Sequence, residues 1–276
     1  MAALRRSLYE TVQANRPMTV RQAFYQLVAA GVVEKTENAY KAVGRVLVQM
    51  RCEGALPFEW IADNTRWMHK PATYASVEEA MRQAARTYRR ALWQGQDARV
   101  EVWCEKDALA GVLAEETARL DVPLMVTRGF SSLSFLYEAS AAIAAQNRPA
   151  FLYYFGDHDP SGVHIDRNIE RRLRELAPEA EIRFERVAVR PEQIDEMQLP
   201  TRPTKRRDSR ACGFVGGSVE VDAIPPAELR AMVRACIEQH ITDRSAFEAI
   251  RAAEKRERDL LRRWACRGAN NDGEDR

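Results

Sequence analysis

The sequence has no apolar run near the roughly 20 residues that a membrane-spanning helix needs. No membrane contact is expected. The first residues are basic, with Arg5 and Arg6, but no apolar stretch follows them, so they do not read as a secretory signal. Cysteine is sparse: Cys52, Cys104, Cys212, Cys236 and Cys266 are odd in number and contain no CxxC pair. This argues against a disulfide framework and a zinc site, and suits a reducing compartment. Internal repeats are absent. Net charge is only +2 over 276 residues, a length that permits two modest domains or one large one. The small total hides an asymmetry. Residues 1–95 carry +6, residues 96–200 carry −7 and residues 201–276 carry +3. A basic head on an acidic middle suits one part that touches polyanions and another that gathers cations; ordinary surface variation gives the same pattern.

Residues 4–14 read as a first helix. Thr19 and Gln22 have capping-box spacing, in which a hydroxyl and an amide serve opposite orphan N–H groups. The helix behind them, 20–30, puts Val20, Phe24, Leu27 and Val28 on one face and stops at Gly31. Thr36 opens another helix, 37–53, with Tyr40, Val43, Leu47 and Met50 inward and Lys41, Arg45 and Arg51 outward; Gly54 ends it. β-like residues 58–61 and a wing at 64–67 would complete a winged helix-turn-helix, although many helix pairs joined by short turns never meet DNA. Trp60 and Trp67 read as core or wing packing. Ser76 caps a third long helix to about Trp93. Its arginines (Arg82, Arg86, Arg89 and Arg90) suit a hinge, a DNA-facing surface or a solvated face.

From Ala98 the pattern changes to strand–helix alternation. Strands are expected over 99–103, 122–127, 150–155 and 181–189, with helices over 107–120, 132–145 and 162–177. Such alternation predicts an α/β fold with a mainly parallel sheet, ligands lying at the carboxyl ends of its strands. A basic, proline-bearing loop occupies 200–211. Tail helices are expected over 226–241 and 245–266, with disorder from Gly268. The expected division is 1–95 and 96–276.

Acidic residues fall at the strand ends. Asp157 and Asp159 are two apart in an extended segment and can aim at one point. Glu105, ending the first strand, would complete a cluster of hard oxygens that suits Mg²⁺, an ion that keeps several waters and bridges to phosphate. A lone pair of aspartates spaced in this way is otherwise a surface turn or a helix cap. Gly162 lets the chain turn into the next helix. His158 is expected to point away from the metal.

The stretches Val102-Trp103-Cys104-Glu105-Lys106-Asp107 and Gly156-Asp157-His158-Asp159-Pro160-Ser161-Gly162 resemble the two acidic motifs of Toprim domains. The form is that of the A subunit of type IIB topoisomerase (topoisomerase VI) and its meiotic double-strand-break relative. Val126-Thr127-Arg128-Gly129-Phe130 resembles the intervening segment, and Ser218-Val219-Glu220-Val221-Asp222-Ala223 the C-terminal one. Val20-Arg21-Gln22-Ala23-Phe24-Tyr25 resembles the motif that bears the family's nucleophilic tyrosine.

The resemblance implies an N-terminal winged-helix (CAP-like) domain, then a Toprim domain with a helical tail. It implies a DNA-cleaving enzyme acting by Mg²⁺-dependent transesterification, with Mn²⁺ as a substitute. Tyr25 would attack the phosphodiester, giving a 5′-phosphotyrosyl link, with Arg21 beside it and Glu105, Asp157 and Asp159 on the metal. Tyr25 of one protomer would meet the metal of the other, so that a homodimer makes a double-strand break. Arg45, Lys106, Lys205, Arg206 and Arg207 are the expected DNA contacts, joined in the basic loop by Arg210; a solvated loop is the other reading. An ATPase B-type subunit is a candidate partner, but no docking extension precedes Tyr25, which points to the stand-alone "mini-A" kind. The expected location is cytoplasmic, on the nucleoid. A Mg²⁺-dependent hydrolytic Toprim nuclease and a non-catalytic DNA-binding module are the alternatives.

Overall fold

The structure, a computed structural model, describes residues 2–62, 72–203, 214 and 217–271. The wing expected at 64–67 and the loop residues Lys205, Arg206, Arg207 and Arg210 lie outside the described residues. Two compact units form, Met1–Arg66 with Ala98–His240, and Trp67–Asp97 with Ile241–Arg276. This grouping differs from a division at residue 95. No described helix is long and apolar enough to cross a membrane.

The first unit opens with α1 (Ala2–Asn15), α2 (Val20–Ala29) and α3 (Glu37–Cys52). The capping box forms: Thr19 Oγ1 accepts from the Gln22 N–H at 3.1 Å, and Gln22 Oε1 accepts from the Thr19 N–H at 2.9 Å. Gly31 ends α2 at φ +68°, a left-handed conformation that favours glycine, and the Val32 N–H donates back to Leu27 O at 2.9 Å. Phe24, Leu27, Val43 and Leu47 are buried where these helices meet. Residues 58–61 are not the β-like segment expected. Phe58–Trp60 is a 3₁₀ turn, because the Trp60 and Ile61 N–H groups bond locally to Pro57 O and Phe58 O. Only Ile61 stays extended, in a parallel bridge to Met18.

Strands β1 (Arg99–Cys104), β2 (Leu124–Val126), β3 (Ala150–Phe155) and β4 (Ile182–Ala188) form one parallel sheet in the order β2-β1-β3-β4. Parallel neighbours need crossover connections. These are a 3₁₀ turn (Asp107–Leu109) leading to α5 (Ala110–Arg119), then α6 (Leu133–Ala144) and α7 (Pro160–Leu176); α8 (Pro191–Glu196) and α9 (Pro226–Glu238) follow β4. Strand β2 is shorter than expected, as the Val122 N–H bonds back to Thr117 O at 2.9 Å. Trp103 and Tyr154 of the sheet share a core with Ile143 of α6 and Ile169 and Leu173 of α7. A buried aliphatic side chain of this kind is worth about 2–5 kcal/mol against alanine.

Chain order reverses across β1. Strand β2 lies on one side of it and β3 on the other, so a switch point opens between β1 and β3. Their ends are level, with Cys104 opposite Phe155. The ladder goes one step further, the Glu105 N–H donating to Phe155 O at 2.9 Å. Glu105 and the residues after Phe155 therefore leave the sheet side by side.

The second unit pairs α4 (Val77–Thr87) with α10 (Arg244–Asn271). Helix α4 stops at Thr87, short of Trp93. The chain beyond it is taken by side chains of α10: Tyr88 Oη donates to Glu257 at 2.6 Å, the Arg90 N–H donates to Glu254 at 3.0 Å, and Arg258 donates to Tyr88 O at 3.0 Å. Arg89 and Arg90 thus pair with Glu254 and Glu257 instead of extending a helical face. Helix α10 reaches Asn271, past the expected onset of disorder at Gly268; each added residue of an established helix gains a hydrogen bond.

Candidate active site

The loops after β1 and β3 build the site. Glu105 Oε2 accepts from the Asp157 N–H at 3.1 Å and from Tyr154 Oη at 3.4 Å. The approach leaves no room for a side chain at position 156: a Cβ on Gly156 would lie 2.7 Å from Glu105 Oε2 and 2.5 Å from the Tyr154 ring. Burial, and then the charge of Asp157, push the Glu105 carboxyl up to about 7. Asp157 is also pushed up by burial, against the pull of Lys106. Asp159 caps α7, accepting from the Gly162 N–H at 2.8 Å. Arg186 of β4 braces this turn. It bonds Asp166 and donates to the carbonyls of Gly156, Asp157 and Gly162 at 3.2, 3.1 and 2.8 Å.

A third segment, 218–222, enters beside the Asp157 loop. His158 and Val219 exchange backbone hydrogen bonds of 2.8 and 2.9 Å, and Arg202 and Ser218 exchange two of 2.9 Å. Glu220 ends the extended stretch and Asp222 lies in the 3₁₀ turn that follows, Val221–Ala223, and both carboxylates reach Lys106. Lys106 lies among them, 2.8 Å from Asp222, 2.9 Å from Asp157 and 3.1 Å from Glu220. Burial alone would lower the pKa of its ammonium, but the charges of Asp222, Asp157 and Glu220 outweigh burial and raise it. Asp157 Oδ1 also accepts the Val221 N–H at 2.9 Å.

Helix α2 brings Arg21 and Tyr25 to the same cluster. Arg21 pairs with Glu220, and Arg202 reaches the other Glu220 oxygen at 2.9 Å. Burial opposes the Glu220 charge, yet Lys106 and Arg21 hold its carboxyl down at about 2. Tyr25 is 5% exposed, with the Lys35 ammonium 5.2 Å from its ring centroid. Burial, then the charge of Glu220, raise the phenol's pKa above its ordinary value.

The structure therefore brings Glu105, Lys106 and Asp157 together, and joins Arg21 and Tyr25 to them through Glu220. Asp159 stands at the α7 N-terminus, 3.9 Å from Arg202. Arg45 lies on α3 beside a different hollow, with Asn38 and Lys41. His158 packs its ring on Phe214, centroids 4.8 Å apart. With side chains as they stand, no three acidic, histidine or cysteine residues among those described converge to hold a metal. The donor chemistry nevertheless fits a hard dication. Glu105 is under-compensated, Asp222 Oδ1 is buried without a hydrogen-bond partner, and Mg²⁺ needs only one or two carboxylates beside its waters.

Sequence reasoning missed Glu220, Asp222, Arg202 and Arg186 as site residues. The acid-x-acid spacing of Glu220 and Asp222 was a usable signal, the same as that of Asp157 and Asp159. Arg202 is the first cation of the basic loop. Arg186 carried no local signal. No protein-family model matches the chain, and no curated protein matches it.

Proposed function

We propose that the chain is a DNA-cleaving protein like the topoisomerase VI A subunit, of the stand-alone mini-A kind, acting through Tyr25 by metal-dependent transesterification. The observation that carries this reading is the meeting of Arg21 and Tyr25 with Glu220 and Lys106, in a cluster that continues to Asp157. On this reading α2 and α3 belong to a winged-helix element and the four-stranded sheet to a Toprim domain.

In the reaction a bond forms from Tyr25 Oη to phosphorus as the bond from phosphorus to the 3′ oxygen breaks. The phenol gives up its proton, and the 3′ oxygen takes one up and leaves as a hydroxyl. Arg21, one turn before Tyr25 on α2, offers a fork of donors to the phosphate oxygens. Mg²⁺ or Mn²⁺ held by Glu105, Asp157 and Asp159 would neutralise phosphate charge and stabilise the departing oxygen. In the present arrangement burial, and then the charge of Glu220, raise the phenol's pKa further, so Tyr25 needs a group to take its proton as it attacks. A homodimer would cut both strands. The resemblance pairs Tyr25 with a partner protomer's metal, whereas the cluster within one chain favours pairing in cis as the resting arrangement.

The test is incubation with supercoiled DNA and Mg²⁺ or Mn²⁺, quenched with SDS. Protein attached to 5′ ends is expected, and lost in Tyr25→Phe and Asp157→Asn. Cleavage that survives Tyr25→Phe would instead make water the attacking group.

A further inference from the structure

Glu220 gathers three cations. Arg21 from α2, Lys106 after β1 and Arg202 from the segment after α8 all bond it. Lys106 is shared with Asp157 and Asp222. The two arginines are open to solvent: their side chains are 43% and 42% exposed, while that of Glu220 is 5% exposed. Both face a cavity of about 450 Å³ that is also lined by Lys35, Tyr25, Tyr40 and Phe24. That volume falls in the range of about 300–1,000 Å³ typical of ligand pockets. Three cations suit the phosphates of a nucleic-acid backbone, with the buried rings of Phe24 and Tyr25 in the cavity wall. Guanidinium forks recognise carboxylate and phosphate with the same planar geometry.

We propose that Glu220 is a built-in stand-in for phosphate, and that a DNA phosphodiester takes its place on Arg21 and Arg202 beside Tyr25. This rests on DNA being the substrate, but not on cleavage. The protein at rest holds its own anion in the phosphate subsite, which keeps the arginines ordered. DNA must displace that anion, so the resting chain binds more weakly than its cations allow.

The experiment measures binding of a short fluorescein-labelled duplex by anisotropy, in EDTA and at one salt concentration. Glu220→Gln should bind about fivefold tighter or more, since a like charge leaves the subsite. Glu37→Gln, an exposed acid at the same cavity, should change affinity less than about twofold. Adding Arg202→Gln to Glu220→Gln should remove most of the gain. Glu220→Asp keeps the buried charge but shortens its reach; it should tighten binding too, and it decides the matter if Glu220→Gln does not fold. Unchanged or weaker binding in both Glu220 variants overturns the proposal. So does an equal gain from Glu37→Gln, or no duplex binding by any form. Tighter binding without any covalent adduct would sustain this proposal and defeat the transesterase.

Discussion

Arg21, in the first turn of α2, is ion-paired with Glu220, 199 positions later in the chain. The pair ties the helix that bears Tyr25 to the segment that shares Lys106 with Asp157. A residue at the head of a helix and one in a distant extended segment thus settle where the tyrosine rests.

Replacing Arg21 by glutamine tests its role toward phosphate. Glu220 keeps Lys106 and Arg202, so the fold should survive. Duplex affinity should fall about equally for all sequences, and the slope of log affinity against log salt should shrink by about 1. An unchanged slope would mean that Arg21 never meets a phosphate.

Lys106→Met leaves Asp157, Glu220 and Asp222 without their shared cation. Breaking a buried ion pair from one side typically costs about 3–5 kcal/mol, because the remaining charges are stranded. Urea unfolding should show a loss of that order. A loss under about 1 kcal/mol would place the ammonium in solvent.

Burial and the charge of Asp157 push the Glu105 carboxyl in the folded chain up to about 7, from an ordinary value of 4.5. Between these values the folded state holds the extra proton. Stability therefore falls as pH rises through that window, by up to about 3 kcal/mol, and levels off above it. Asp157, also raised by burial, contributes a slope of the same sign. Urea unfolding from pH 4 to 8 should show a shallower fall in Glu105→Gln than in the parent chain. Identical slopes would contradict the assignment.

Features decided by neighbours in sequence were legible. The capping box at Thr19 and Gln22, the stop at Gly31 and the alternation behind the parallel sheet all rest on local propensity or on periodicity. Features decided by distant partners were not. Helix α4 has no internal reason to stop at Thr87; Glu254 and Glu257 of α10 take over the chain beyond it. The candidate site divides in the same way. Glu105 and Asp157 were visible because strand ends are readable, but Arg202 and Glu220 meet only through folding. The wing at 64–67 and Lys205 lie outside the described residues.

Gly162 is expected to be irreplaceable. A Cβ there would sit 2.2 Å from Asp157 O, a backbone atom that cannot turn away. Gly162→Ala should cost about 1–3 kcal/mol and displace Asp157. Thermal melting and cleavage should both suffer, and a neutral result would show that the turn yields easily.

The most direct measurement is the identity of the residue attached to DNA. DNA incubated with Mg²⁺ or Mn²⁺ and protein, trapped with SDS and digested with nuclease and protease, should leave a nucleotide-bearing peptide that contains Tyr25. Mass spectrometry should place the 5′-phosphate on the Tyr25 oxygen, and Tyr25→Phe should leave no adduct. Cleaved DNA with free 5′-phosphates and no modified peptide would contradict the account.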